Sequence, residues 1–145
     1  MLAFAPTVVG ERREPGLRDH VVRLVELRAG DAPSAERVVD VIAVAVDELC
    51  RRFAALVGDS GIAAILDRSG KERAVDLGAV RRWPEQIAQL RDRLHALEAP
   101  LAREAGISLV TTFLGMVCTF IGEPLTLRLV HDVWPETFVG PKEPT

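Results

Sequence analysis

The chain has 145 residues, a length that suits one domain with a core large enough to be stable without disulfides or metal. Hydrophobic residues make up 48% and charged residues 27% of the chain, which is an ordinary globular composition, and the formal net charge is −3. A slightly acidic chain lacks the concentrated basic face that phosphate binding requires, so we expect no nucleic-acid partner.

The residue usage also predicts a source and a compartment. Only Lys71 and Lys142 among the basic residues are lysine, and Tyr and Asn are absent, a pattern typical of a bacterium with a GC-rich genome. The N-terminus has no basic segment before its short apolar stretch, which Pro6 interrupts, so we expect a cytoplasmic protein. Cys50 and Cys118 each lie in an apolar pattern without a spaced partner, and we interpret both as small hydrophobic residues.

The first elements are a tail or arm at residues 1–16 and a helix at residues 17–28. Pro and Gly punctuate the tail, whereas Leu17, Val21 and Leu24 have helical spacing. The run from Val21 to Leu27 also suits an edge strand, and this alternative stays open. Gly30 is expected to end the helix.

A long amphipathic helix is predicted over residues 35–57. Ser34 is a suitable N-cap because its hydroxyl can accept a free backbone N–H, and Gly58 is expected to stop the helix. On its polar face, Asp47 with Arg51 and Glu48 with Arg52 have the spacing of ion pairs.

Two shorter helices and a connection should follow. Asp59 or Ser60 caps the first helix, which the pair Ser69-Gly70 ends, and residues 70–82 form the connection. Pro84 suits the start of the next helix, predicted over residues 84–98. Its apolar seam consists of Ile87, Leu90, Leu94, Leu97 and Leu101, and Pro100 is expected to kink or end it near Leu97.

Residues 106–122 form the longest run without a charged residue, and we predict a buried central helix at about 107–121. Seventeen helical positions span ~25 Å, short of the ~30 Å hydrocarbon core of a membrane. Many β-branched residues make a strand the alternative, but no turn signal divides the run. Its bulky side chains recur at helical spacing, at Leu109, Phe113, Met116 and Phe120.

Small residues recur along a second face of this helix. A glycine inside a helix costs ~1 kcal/mol relative to alanine, so a close neighbour should offset it. We favour close packing against another helix of the same chain, with a homodimer seam as the alternative. The residues of this face are Ser108, Thr112, Gly115, Thr119 and Gly122.

A last helix is predicted over residues 124–134, followed by a tail at 135–145. Its polar side chains gather near the exit from the central helix, with one aromatic residue at their rim. A solvated helix face explains this group, and the functional alternative is a surface that binds a partner protein. The group consists of Glu123, Arg128, His131, Asp132 and Trp134.

The segment from His95 to Leu101 carries the one candidate for phosphate chemistry. A histidine is followed at fixed spacing by Leu97, Pro100 and Leu101. This segment resembles the H-box of sensor histidine kinases, which implies that His95 accepts a phosphoryl group. Ala96 and Glu98 depart from the acidic and basic residues usual in that family, so His95 is at most a phospho-acceptor of a transfer module.

No other catalytic pattern is present: the chain has no GxSxG, HExxH, calcium-loop or phosphate-loop motif. We therefore predict no catalytic residue beyond His95 as a candidate, no cofactor and no metal. The fold is predicted to be all-α, a compact bundle of five or six helices over residues 17–134. The expected function is a non-catalytic interaction or regulatory module that binds another protein or a second copy. Phosphotransfer and small-molecule binding in the bundle are the alternatives.

Overall fold

The computed structural model describes residues 16–78 and 80–138. These residues form an all-α bundle, and the described ranges contain no strand. The helices are α1 (Leu17–Ala29), α2 (Ala35–Glu72), α3 (Trp83–His95), α4 (Ala99–Ile121) and α5 (Glu123–Val133), followed by a 3-10 helix, Pro135–Phe138. The fold class predicted from sequence is confirmed, and residues 17–28 are helical rather than an edge strand.

Helix α2 is the longest element and bends at one residue. Gly58 adopts φ +85° and ψ 158° inside the helix, so the backbone breaks where the sequence predicted a stop and then resumes. The predicted N-cap is confirmed, since the Ser34 hydroxyl accepts from the Arg37 N–H at 3.1 Å. The second half continues past Ser69-Gly70 to Glu72, because the Ser69 hydroxyl donates back to the Ile65 carbonyl at 2.8 Å without leaving the helix.

Helices α2 and α4 hold the bundle together, since each contacts all four of the other helices. The central helix expected at 107–121 is therefore present, but it begins earlier, at Ala99, with Pro100 in its first turn. Its buried side chains lie between Ala102 and Val117. Beyond Val117 the helix leaves the core, and Phe120 is 67% exposed.

The closest approach between α2 and α4 occurs at Gly106. A Cβ atom added there would lie 2.2 Å from Cδ1 of Ile42, which is itself 1% exposed. At Gly115, by contrast, an added Cβ atom meets nothing within 4 Å. The prediction that Gly115 packs closely against a helix of the same chain is wrong, because this side of α4 faces outward.

Helix α3 is shorter than predicted and ends at His95. Ile87, Leu90 and Leu94 are buried, as an apolar seam requires. The seam stops there, because the chain turns after His95 and restarts as α4, leaving Leu97 36% and Leu101 58% exposed.

Candidate functional site

The outer face of α4 is the candidate interaction surface. We define it as Ser108, Thr112, Gly115 and Thr119, which recur at intervals of four, three and four residues along one side of the helix. Gly122, the fifth residue predicted for this face, is the C-cap of α4 with φ +90° and does not continue the helix. Gly115 and Thr119 are exposed, and Ser108 and Thr112 are half-buried. The opposite side of α4 packs into the core through Leu109, Val110, Phe113, Leu114 and Val117.

Two of the three hydroxyl groups of this face are hydrogen-bonded within their own helix. Thr119 Oγ1 donates to the Gly115 carbonyl at 3.3 Å, and Ser108 Oγ donates to Glu104 Oε2 at 3.1 Å. Because their donors are already used, burying these hydroxyls against a partner leaves fewer unpaired polar groups. The outer face therefore behaves as a less polar surface than its composition indicates.

Charged residues lie at the two ends of the outer face and not along it. At the N-terminal end, Arg18 of α1 pairs with Glu104 at 3.0 Å. Both side chains are largely exposed, so solvent screens this ion pair. Hydrogen bonds from Arg18 and from Ser108 lower the pKa of Glu104. At the C-terminal end, Glu123 is exposed and forms no ion pair with any described residue.

The predicted polar group on α5 is exposed in part. Glu123, Arg128, His131 and Asp132 are exposed. Asp132 pairs with Arg52 of α2 at 2.8 Å and not with Arg128, its i−4 neighbour. This ion pair also occupies the arginine that sequence spacing assigned to Glu48.

Trp134 is a core residue, 0% exposed, so it is not the rim anchor that we predicted. Its indole Nε1–H donates to Glu48 Oε1 at 3.0 Å, and Arg28 Nη1 donates to the same oxygen at 2.8 Å. Arg28 Nε also donates to Glu136 Oε2 at 3.1 Å. Arg28 and Glu48 thus connect the segment after α5, which contains Trp134 and Glu136, to α1 and α2.

Two histidines enclose the end of the described chain. The His20 ring stacks on Phe138 with centroids 4.0 Å apart, and the His131 ring meets Phe138 edge-on at 4.8 Å. Thr137 Oγ1 donates to the Trp134 carbonyl at 3.0 Å, so His20 Nδ1 must donate to that hydroxyl at 3.2 Å. Burial lowers the pKa of His20, which is 4% exposed, while a hydrogen bond to the Thr137 backbone and the charge of Asp19 oppose this shift. Residues 135–138 therefore belong to the bundle and not to a tail. Residues 1–15 and 139–145 of the predicted tails lie outside the described ranges.

His95 lies at the C-terminal end of α3 and is exposed. Three residues, 96–98, separate it from α4, which starts just before Pro100. The imidazole is accessible, as phosphoryl transfer would require, and no described acid or base is hydrogen-bonded to it.

Metal ligation and thiol chemistry have little basis in the described ranges. No three His, Cys, Asp or Glu side chains come together there as a metal site. Cys50 is fully buried, and burial raises the pKa of its thiol, which keeps it protonated. Cys118 is half-buried on α4, and both thiols are free.

Helix α4 is long and apolar enough to cross a membrane by length and composition. Its most apolar window has a mean hydropathy of 1.6, and 39% of that window is buried inside the bundle. The core helix of a soluble protein passes the same test.

The chain matches no protein-family profile, no curated protein and no solved structure.

Proposed function

We propose that the protein is a non-catalytic interaction module of the bacterial cytoplasm, and that the outer face of α4 is its binding surface. The observation that carries the proposal is an exposed helix face with no charged residue from Ala105 to Gly122. Solvated helix faces normally carry charged side chains, and an uncharged one typically marks a surface that a partner covers. Phe120 is also exposed near the C-terminal end of α4, on the side of the helix that carries Phe113.

The partner we infer is a second copy of the chain, with the two α4 helices antiparallel. The spacing of the outer face is symmetric, so an antiparallel pair sets Ser108 of one copy against Thr119 of the other, and Thr112 against Gly115. A two-fold interface requires this self-complementarity. Gly115 lets the two backbones approach closely, which offsets its cost inside the helix.

Charged residues would lie at both ends of such an antiparallel pair. In this register Glu123 of one copy lies opposite Glu104 of the other, and Glu104 already binds Arg18 at 3.0 Å. Glu123 has no ion-pair partner among the described residues, and Arg18 remains 48% exposed while it binds Glu104. Arg18 is thus the positive charge near two carboxylates at each end, and because an exposed pair contributes only ~0.2–1 kcal/mol, the orientation rests on the symmetric spacing of the outer face.

Light scattering of the purified chain over a range of concentrations, combined with flotation on phospholipid vesicles, tests the proposal. We expect a concentration-dependent dimer that stays with the soluble fraction. A monomer at every concentration contradicts self-association. A monomer that floats with vesicles identifies the outer face of α4 as a membrane-binding surface instead.

Phosphotransfer through His95 is the second candidate, favoured by the exposure of its imidazole. Incubation with a cognate phosphodonor, followed by acid and alkaline treatment, tests it. An acid-labile phosphate that is absent from His95→Gln supports this candidate. Unchanged phosphorylation of His95→Gln, or no phosphorylation of either protein, removes it.

A further inference from the structure

An open groove of about 780 Å³ lies beside the second half of α2, away from the outer face of α4. One wall is formed by Ala63, Asp67 and Lys71 of α2, and the other by the connection before α3, including Asp76 and Arg81. Small-molecule sites typically have volumes of roughly 300–1,000 Å³, so the groove is large enough for a metabolite.

Gln86 of α3 also lines this groove and is 1% exposed. Its Nε2–H donates to the Ala63 carbonyl at 3.0 Å, which fixes the orientation of the amide group. Its Oε1 atom is buried and has no hydrogen-bond partner. A buried acceptor without a donor is unfavourable. An N–H or O–H group of a ligand bound against this wall would supply the missing donor.

The charges around the groove leave one positive charge uncompensated. Lys71 Nζ pairs with Asp67 at 3.2 Å, and the Asp76 carboxylate pairs with Arg93 at 3.6 Å. Arg81 is exposed and has no ion-pair partner within the described ranges. A free guanidinium at the groove favours an anion with two acceptor oxygens, because its N–H groups form a fork that matches carboxylate and phosphate.

We propose that this groove binds a small organic anion, a carboxylate or a phosphate monoester that also carries an N–H or O–H donor. Arg81 holds the anionic end, and the amide oxygen of Gln86 accepts from the donor end. The groove involves none of the residues of the outer face of α4, so this proposal is independent of self-association.

Nuclear magnetic resonance titration of the full-length ¹⁵N-labelled chain tests the proposal with three probes: glycolate, glycerol 3-phosphate and uncharged glycerol. We expect the Gln86 side-chain amide and the backbone amides of Ala63 and Asp67 to shift saturably with one or both anions. A response to glycolate alone assigns the site to carboxylates, and a response to glycerol 3-phosphate alone assigns it to phosphate esters.

The matched variants are Arg81→Gln and Arg82→Gln, each of which removes one exposed positive charge. Arg81 lines the groove and Arg82 does not. We expect Arg81→Gln to weaken anion binding about tenfold, the effect of losing one charge-assisted contact, and Arg82→Gln to leave it unchanged. Equal shifts with glycerol, no saturable shift at these amides, or equal weakening in both variants overturns the proposal.

Discussion

The indole nitrogen of Trp134 donates to Glu48 Oε1 at 3.0 Å, joining residues that are 86 positions apart in sequence. The same oxygen accepts from Arg28, so one carboxylate fastens α1 and the end of α5 to α2. A half-buried carboxylate with two donors is well satisfied, and removing one donor weakens three elements together.

Trp134→Phe is expected to lower the free energy of unfolding by about 1.5–3 kcal/mol, because a hydrogen bond to a charged acceptor is lost from a buried site. Urea denaturation measures the change. Trp83→Phe is the matched control, because Trp83 Nε1 also donates to a carboxylate, that of Asp59, at 3.1 Å. Asp59 is exposed, so water can solvate its carboxylate after the substitution. A loss in Trp83→Phe as large as in Trp134→Phe would contradict the anchoring role of Trp134.

The free energy of unfolding should decrease as the pH is lowered, because His20 takes up a proton. Burial lowers the pKa of His20 in the folded state, so the unfolded chain takes up the proton more readily. The stability is fully present above the unfolded pKa of about 6.5 and is lost as pH falls through the folded pKa. The charged groups beside the ring are Asp19, which raises the pKa, and Arg23, which lowers it.

The measurement is the free energy of unfolding on both sides of this pH range, for the parent chain, His20→Phe and His95→Gln. We expect His20→Phe to reduce the loss of stability at acidic pH, because the phenyl ring can stack on Phe138 without taking up a proton. His95→Gln changes an exposed residue and should retain the loss. The same pH dependence in all three proteins would show that His20 does not cause it.

Alanine substitutions at two glycines of α4 should change the stability of the bundle in opposite directions. Gly106→Ala places a methyl group against the buried Ile42 and should destabilise the bundle by about 1–3 kcal/mol. Gly115→Ala meets open space and should stabilise the monomer by up to ~1 kcal/mol through helix propensity. Thermal unfolding at a concentration where the chain is monomeric distinguishes them; destabilisation by Gly115→Ala would mean that a part of the same chain covers this position.

Periodicity and capping residues were sufficient to predict the fold. Ser34 fixed the start of α2, Gly58 marked its bend, and the apolar pattern around Leu109 and Phe113 identified α4 as a core helix. These signals are local, since a cap and a helical face depend on residues within a few turns. Asp47 and Arg51 also form the ion pair that their spacing indicated, at 2.7 Å.

Contacts between distant segments were not predictable in the same way. Glu48 and Arg52 have the spacing of a pair, yet Glu48 binds Arg28 and Trp134, and Arg52 binds Asp132. Trp134 was predicted at the rim of a polar surface because its partner Glu48 lies 86 positions away in sequence. The regular spacing of Ser108, Thr112, Gly115 and Thr119 correctly indicates a distinct helix face, but spacing alone cannot show whether that face points inward or outward.

Sedimentation equilibrium of Gly115→Arg beside Ala88→Arg is the most direct test of the α4 interface. Both substitutions add one positive charge to an exposed helical position, and Ala88 lies on α3, away from the proposed interface. With circular dichroism confirming that both variants are folded, we expect Gly115→Arg to be monomeric and Ala88→Arg to dimerise like the parent chain. If Gly115→Arg dimerises as strongly as the parent chain, the assignment of the outer face of α4 as the binding surface is contradicted.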